Sequence, residues 1–103
     1  MTDEQFNELL SETQETMRNT LIQKAKEYQR GDRLSNFKTA ATRLNCTPER
    51  ALLGMLEKHS TAIFDYVNDL EVGRRMPLEQ WQEKIIDSIN YLVLLLALAT
   101  ERE

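Results

Sequence analysis

The sequence holds one cysteine, two prolines and three glycines among 103 residues. With Cys46 alone, no disulfide can close within the chain, and the Gly/Pro clusters that usually bound short strands are missing. No alternating run rich in Val, Ile and Thr occurs either, so a β-sheet has little support. Histidine and tryptophan occur once each, at His59 and Trp81. Without a second histidine or a neighbouring cysteine, the ligand set of a zinc site is lacking. The opening segment TDEQFNELL has neither the basic nor the apolar region of a secretory signal. The longest uninterrupted apolar run, Tyr91 to Ala99, is well short of the roughly 18 residues a membrane span requires. A cytoplasmic protein that does not cross a membrane is expected. Positive charge is also in short supply: the net charge is −4, against the basic surface that general binding to nucleic-acid backbones needs.

What is present is helical patterning. A hydrophobic content of 41% over this length fits one small domain, residues 1–103, with a modest core. Thr2 followed by Gln5 has the form of a capping box. Phe6, Leu10, Thr13, Met17, Leu21 and Tyr28 then recur at helical intervals, which predicts a long helix from about Asp3 to Gln29, stopped at Gly31. A short helix is predicted within DRLSNFKTAATRLN, capped by Asp32 or Ser35, with Leu34, Phe37, Ala41 and Leu44 as its stripe. Thr47-Pro48 places a capping hydroxyl before a proline, where the missing N–H is harmless, and predicts a third helix to about Leu70. Pro77 opens the last helix, with Leu78, Trp81, Ile85, Ile89, Leu92 and Leu96 as its expected core stripe. The expected fold is all-α, a compact bundle of three long helices and one short one.

The last helix carries a second stripe. At about 100° per residue, Glu83, Asp87, Asn90 and Leu94 lie along one line, opposite Ile85, Ile89 and Leu92. That line begins polar and continues apolar through Leu94, Ala97 and Leu98, so the C-terminal half of the helix is apolar on all sides and must be covered on all sides. A homodimer formed through this helix is expected, because one short chain has few helices to offer as cover. Glu83, Asp87 and Asn90 would then sit at the lip of a cleft. Two carboxylates one turn apart and an amide suit Mg²⁺, which takes oxygen ligands and keeps waters for a bound phosphate. The plainer alternative is a solvated pair of acids and an asparagine that hydrogen-bonds across helices.

Two further features stand out. From Lys24 to Arg50 seven basic residues face three acidic ones, a local charge of +4 inside an acidic protein. This is either a solvated surface or a landing place for a small polyanion. His59 falls near the centre of its helix's apolar face, as a core imidazole bonded to a neighbour or as a group that contacts substrate and moves a proton.

The stretches EYQRGDRLSNFKTAA, ALLGMLEKHSTAIFDYV and EKIIDSINYLVLLLAL resemble a group of small phage and prophage proteins akin to nucleotide-modification-associated helical domains. More distantly they resemble the all-α nucleoside triphosphate pyrophosphohydrolases of the MazG and dimeric dUTPase type. The resemblance spans about residues 20 to 98. It implies a dimeric helical fold with an Mg²⁺-dependent site that cleaves a nucleoside triphosphate between its α and β phosphates. In those enzymes one helix carries Glu-Glu-x-x-Glu and a later one Glu-Glu-x-x-Asp. Here EKIID keeps Glu83 and Asp87 as metal ligands, Lys84 replaces the second glutamate, and the first pattern is missing apart from Glu57. By the same resemblance Arg30, Arg33 and Lys38 would face phosphates and Asn36 would read a base or support the turn; in a nucleotide-binding protein of this kind Asn90 would position the nucleotide and His59, as a group that moves a proton, would be catalytic. The eroded motif also suits a phage-encoded interaction protein that inhibits a host defence system, in the manner of an anti-CRISPR protein, with no catalysis and a host protein as partner. A third expectation is an assembly module whose polar stripe fixes dimer register.

Overall fold

The computed structural model describes residues 1–27 and 31–103 and consists, among these, of four helices: α1 (Asp3–Glu27), α2 (Ser35–Leu44), α3 (Pro48–Glu71) and α4 (Leu78–Arg102). The chain is an all-α bundle, as its patterning predicts. The predicted end of the first helix at Tyr28 and Gln29, and the basic residue Arg30, lie outside the described residues. Among the described residues, no helix is long and apolar enough to cross a membrane.

The helix boundaries follow from local chemistry. At the start of α1 the capping box forms in both directions, with Gln5 N–H donating to Thr2 Oγ1 at 3.1 Å and Thr2 N–H to Gln5 Oε1 at 2.8 Å. Thr47 Oγ1 accepts from Arg50 N–H at 3.1 Å and Pro48 fills the first turn of α3, which satisfies orphan amides the helix cannot serve itself. The cap of α2 differs from expectation. Its N-cap position is Leu34, without a side-chain cap, and Asp32 instead accepts the Leu34 N–H at 2.9 Å in a tight turn before the helix. α2 ends on Asn45, which takes a left-handed φ of 54°, while Cys46 N–H donates back to the Ala41 carbonyl at 3.0 Å. Asparagine tolerates that conformation better than most residues. Gly73, at φ 80°, ends α3 in the same manner, with Arg74 N–H bonded to the Asp69 carbonyl at 2.8 Å.

α3 and α4 form the centre of the fold and run antiparallel. Tyr66 meets Trp81 edge to face at one end, with ring centroids 5.4 Å apart. At the other end Arg102 Nε donates to Glu49 at 2.7 Å. α2 closes this pair where the start of α3 meets the end of α4, and Leu34, Phe37, Leu52 and Leu98 make the dry core there, with Met55, Tyr91, Leu94, Leu95 and Ala97 packed around them. Leu52 is fully buried, a burial that contributes about 1.5–3 kcal/mol. α2 is tied to α4 by Lys38, which bonds both Asp32 and Glu101. Among the described residues α1 packs chiefly on α4. It runs in the same direction, since Leu9 to Thr16 lie near Leu78 to Ile86 and Lys24 lies against Tyr91.

One expectation is met only in part. Of the predicted core stripe, Trp81 packs on Tyr66 and Ile89 is half-buried, but Leu78, Ile85, Leu92 and Leu96 are exposed, and the inward face of α4 is the one carrying Ile86, Asn90, Leu94 and Leu98. α2 and α3 take up the face for which a partner subunit was expected. α1 lies beside Leu78 to Ile86 and reaches Tyr91 with Lys24, while Leu92 and Leu96 on the outer face stay exposed.

A polar cluster between α1, α3 and α4

The antiparallel pairing of α3 with α4 brings His59 level with Asp87 and Tyr91, residues one turn apart on α4. His59 Nδ1 lies 3.6 Å from Asp87 Oδ2, within ion-pair range but too far for a hydrogen bond. The imidazole and Tyr91 rings lie 5.4 Å apart at a tilt of 36°. From α1, the Lys24 ammonium sits 6.0 Å from the centre of the Tyr91 ring, at the outer range of a cation–π contact. Burial pushes the His59 pKa below its usual value. Asp87 pulls it upward, and Lys84, Lys58 and Lys24 add to the depression. His59 is therefore neutral at pH 7, and its facing carboxylate does not form a charged pair with it.

Asn90 follows on the same face of α4, one turn beyond Asp87. It is only 3% exposed, and neither its Oδ1 nor its Nδ2 makes a hydrogen bond within the protein. A buried amide in that state costs about 1–3 kcal/mol relative to a satisfied one. In native proteins such a group is the exception that calls for a water or a ligand. The cluster as a whole offers a carboxylate, an amide that both donates and accepts, a neutral imidazole and an aromatic ring. Lys24 and Lys84 border it with positive charge, a set suited to holding a polar, anionic molecule.

The other residues predicted for a site are placed elsewhere or differently. Glu83 is exposed, a turn before Asp87, and does not join His59. Among the described residues no three His, Cys, Asp or Glu side chains converge as a metal cage. Lys38 is committed to Asp32 at 2.7 Å and to Glu101, and its ammonium holds the Asp32 carboxyl below its usual range. Glu101 lies fourteen residues beyond Asp87 on α4, so Lys38 is about 20 Å away along the helix axis. Asn36 lines a separate groove of α2 with Glu27, Thr39 and Arg43. There its buried Oδ1 also lacks a partner. Arg33 is half-buried, with one terminal guanidinium nitrogen out of contact with solvent.

Two members of the cluster were not singled out from the sequence as site residues, Lys24 and Tyr91. Tyr91 follows Asp87 at the i+4 spacing that marks one helix face, a signal hidden by its position at the start of an apolar run. Nothing in the sequence announces that Lys24 meets it from another helix. Comparison with protein-family models, curated proteins and solved structures finds no match to this chain. The class the structure defines is an all-α protein with a polar cluster enclosed by three of its helices.

Proposed function

We propose that the protein binds a nucleotide in the polar cluster between α1, α3 and α4, as an Mg²⁺-dependent protein akin to the all-α nucleoside triphosphate pyrophosphohydrolases. The observation that carries the reading is Asn90, a buried amide with both polar atoms unpaired, beside a half-buried acid, a neutral histidine and two bordering lysines. A nucleotide supplies what this set lacks: donors and acceptors on its base or sugar for the amide, and negative charge for Lys24 and Lys84. Mg²⁺ in such sites is held by one or two carboxylates and by the phosphates of the ligand. Asp87, with Glu83 one turn away, meets that requirement without a protein-built cage. The ion would supply charge neutralisation at the phosphates, and His59, uncharged at pH 7, is able to accept a proton from an attacking water.

A thermal-shift panel of ribo- and deoxynucleoside triphosphates, with and without Mg²⁺, tests this. At least one nucleotide is expected to raise the melting temperature only when Mg²⁺ is present, and Asp87→Ala is expected to abolish the effect. A panel with no shift and no pyrophosphate release refutes the reading.

A second reading, a phage-encoded inhibitor of a host defence system, is favoured by the outer face of α3. Phe64 is 70% exposed there, with Val67, 44% exposed, one turn further on the same side, exposed apolar side chains of the kind found at partner-binding surfaces. Pull-down from a bacterial host lysate separates the two. A stoichiometric partner retained by Asp87→Ala and lost by Phe64→Glu supports the inhibitor.

A further inference from the structure

A groove of about 500 Å³ separates the first half of α1 from the start of α4, lined among others by Leu9, Glu12 and Thr13 on one wall and by Leu78, Trp81 and Ile85 on the other. Its walls are mainly apolar, and Leu9, Leu78 and Ile85 stay exposed. From Leu9 to Thr16 it follows α1 for about 10 Å, two helical turns. No member of the polar cluster of His59, Asp87 and Asn90 lines it.

Charge around the groove is one-sided. Glu8, Glu12 and Glu15 follow one another at intervals of four and three and so form a single stripe along α1. All three are exposed, and among the described residues no ion pair engages them. From Met1 to Met17 the chain carries five carboxylates and no basic side chain, opposed only by the N-terminal amine. On the other wall, Glu71 to Glu83 holds three carboxylates against Arg74 and Arg75. The two walls together stand at −5, more negative than the whole chain at −4. Adding the next base along each wall, Arg18 and Lys84, still leaves −3.

We infer that this groove is the docking site for a basic amphipathic helix of another protein. The apolar residues of that helix, at i, i+3 or i+4 and i+7, fill the space between Leu9 and Ile85, while lysines or arginines on its flank meet Glu8, Glu12 and Glu15. A helix laid there covers apolar surface that α1, with no fully buried residue of its own, leaves open. The stripe of carboxylates selects against an acidic helix. It also selects against a second copy of this chain. The only helix here with a basic balance is α2, which spends its apolar side chains Phe37 and Ala41 inside its own fold.

The probe is a synthetic four-turn peptide with leucine at the i, i+3/i+4 and i+7 positions and lysine elsewhere, compared with a twin in which every lysine is glutamate. Trp81, the single tryptophan, lines the groove and reports occupancy by its fluorescence. The lysine peptide is expected to shift Trp81 emission saturably in the micromolar range, and the glutamate peptide is not. The triple variant Glu8→Gln, Glu12→Gln, Glu15→Gln, with an unchanged melting temperature, is expected to weaken the lysine peptide about tenfold. Ile85→Asn, in the apolar wall, is expected to weaken it by as much or more, whereas Leu44→Glu on the exposed side of α2 leaves it unchanged. Equal binding of the two peptides overturns the basic partner. No response of Trp81 to either peptide, or wild-type binding by the triple variant and by Ile85→Asn, overturns the docking site. Trp81 emission that shifts with protein concentration alone, together with a doubled mass in sedimentation, gives the groove to a second copy and overturns the inference. Nucleotide is absent from every arm, so the outcome is independent of nucleotide binding.

Discussion

α1 and α4 are both 25 residues long and both amphipathic, yet they have different fates in the fold. α4 is covered by α2 and α3 on one face and touched by α1 on its flank, and it buries Ile86, Asn90 and Leu98. Among the described residues α1 packs chiefly on α4, and it has no fully buried residue, only half-buried ones such as Met17 and Leu21. An apolar stripe establishes that a helix has a face to cover. What covers it depends on the neighbours, and most helical stability comes from that cover and not from propensity.

The sharpest way to break the comparison is to truncate one apolar residue in each region. Leu52→Ala, facing α4 in the dry core, is expected to lose about 2–5 kcal/mol in urea denaturation. Leu10→Ala on the open face of α1 is expected to lose less than about 1 kcal/mol. Equal losses would mean that α1 is as firmly packed as the core. Asn90 offers an effect of opposite sign. Asn90→Leu removes two unpaired buried polar atoms and is expected to stabilise the ligand-free protein by about 1–2 kcal/mol, while abolishing any nucleotide-dependent shift. A loss of stability would show that the amide is satisfied within the fold.

Helix caps give a smaller contrast. Thr47→Ala at the start of α3 is expected to cost about 1 kcal/mol by chemical denaturation, and Thr2→Ala at the open end of α1 about half of that. Smallest is the pH response of His59. Its folded-state pKa is depressed, chiefly by burial, so the unfolded chain takes up the proton first, near its ordinary value of about 6.5. Stability is therefore complete above that pH, and declines as pH falls from there towards the lowered folded pKa. Melting curves of wild type and His59→Phe are expected to diverge in that window. Parallel curves would place the titration elsewhere.

Much of the fold was legible because caps and breakers act locally. Thr2 with Gln5, and Thr47 with Pro48, satisfy amides only a few residues away, so the chain itself marks where α1 and α3 begin. The orientation of α4 was not legible. Its strongest stripe, Ile85, Ile89, Leu92 and Leu96, reads as a core, but the opposite face also becomes apolar from Leu94 onward. Period alone does not rank two apolar faces when both can be buried. The candidate site was legible in parts. Asp87, Asn90 and His59 stood out as polar groups on apolar faces. Their grouping did not, because Asp87 was matched to Glu83 on its own helix, whereas antiparallel packing sets it against His59 from α3.

The sequence by itself determined the helices and where α1 and α3 begin, since hydrogen bonding, capping and periodic burial are settled within a few residues along the chain. The tertiary structure decided which side of α4 faces inward, which polar residues share a cluster and which apolar seam is left open. Those outcomes depend on shape matching between helices that are distant in sequence, where Phe37, Leu52 and Leu98 meet while Leu92 and Leu96 on the outer face of α4 stay exposed.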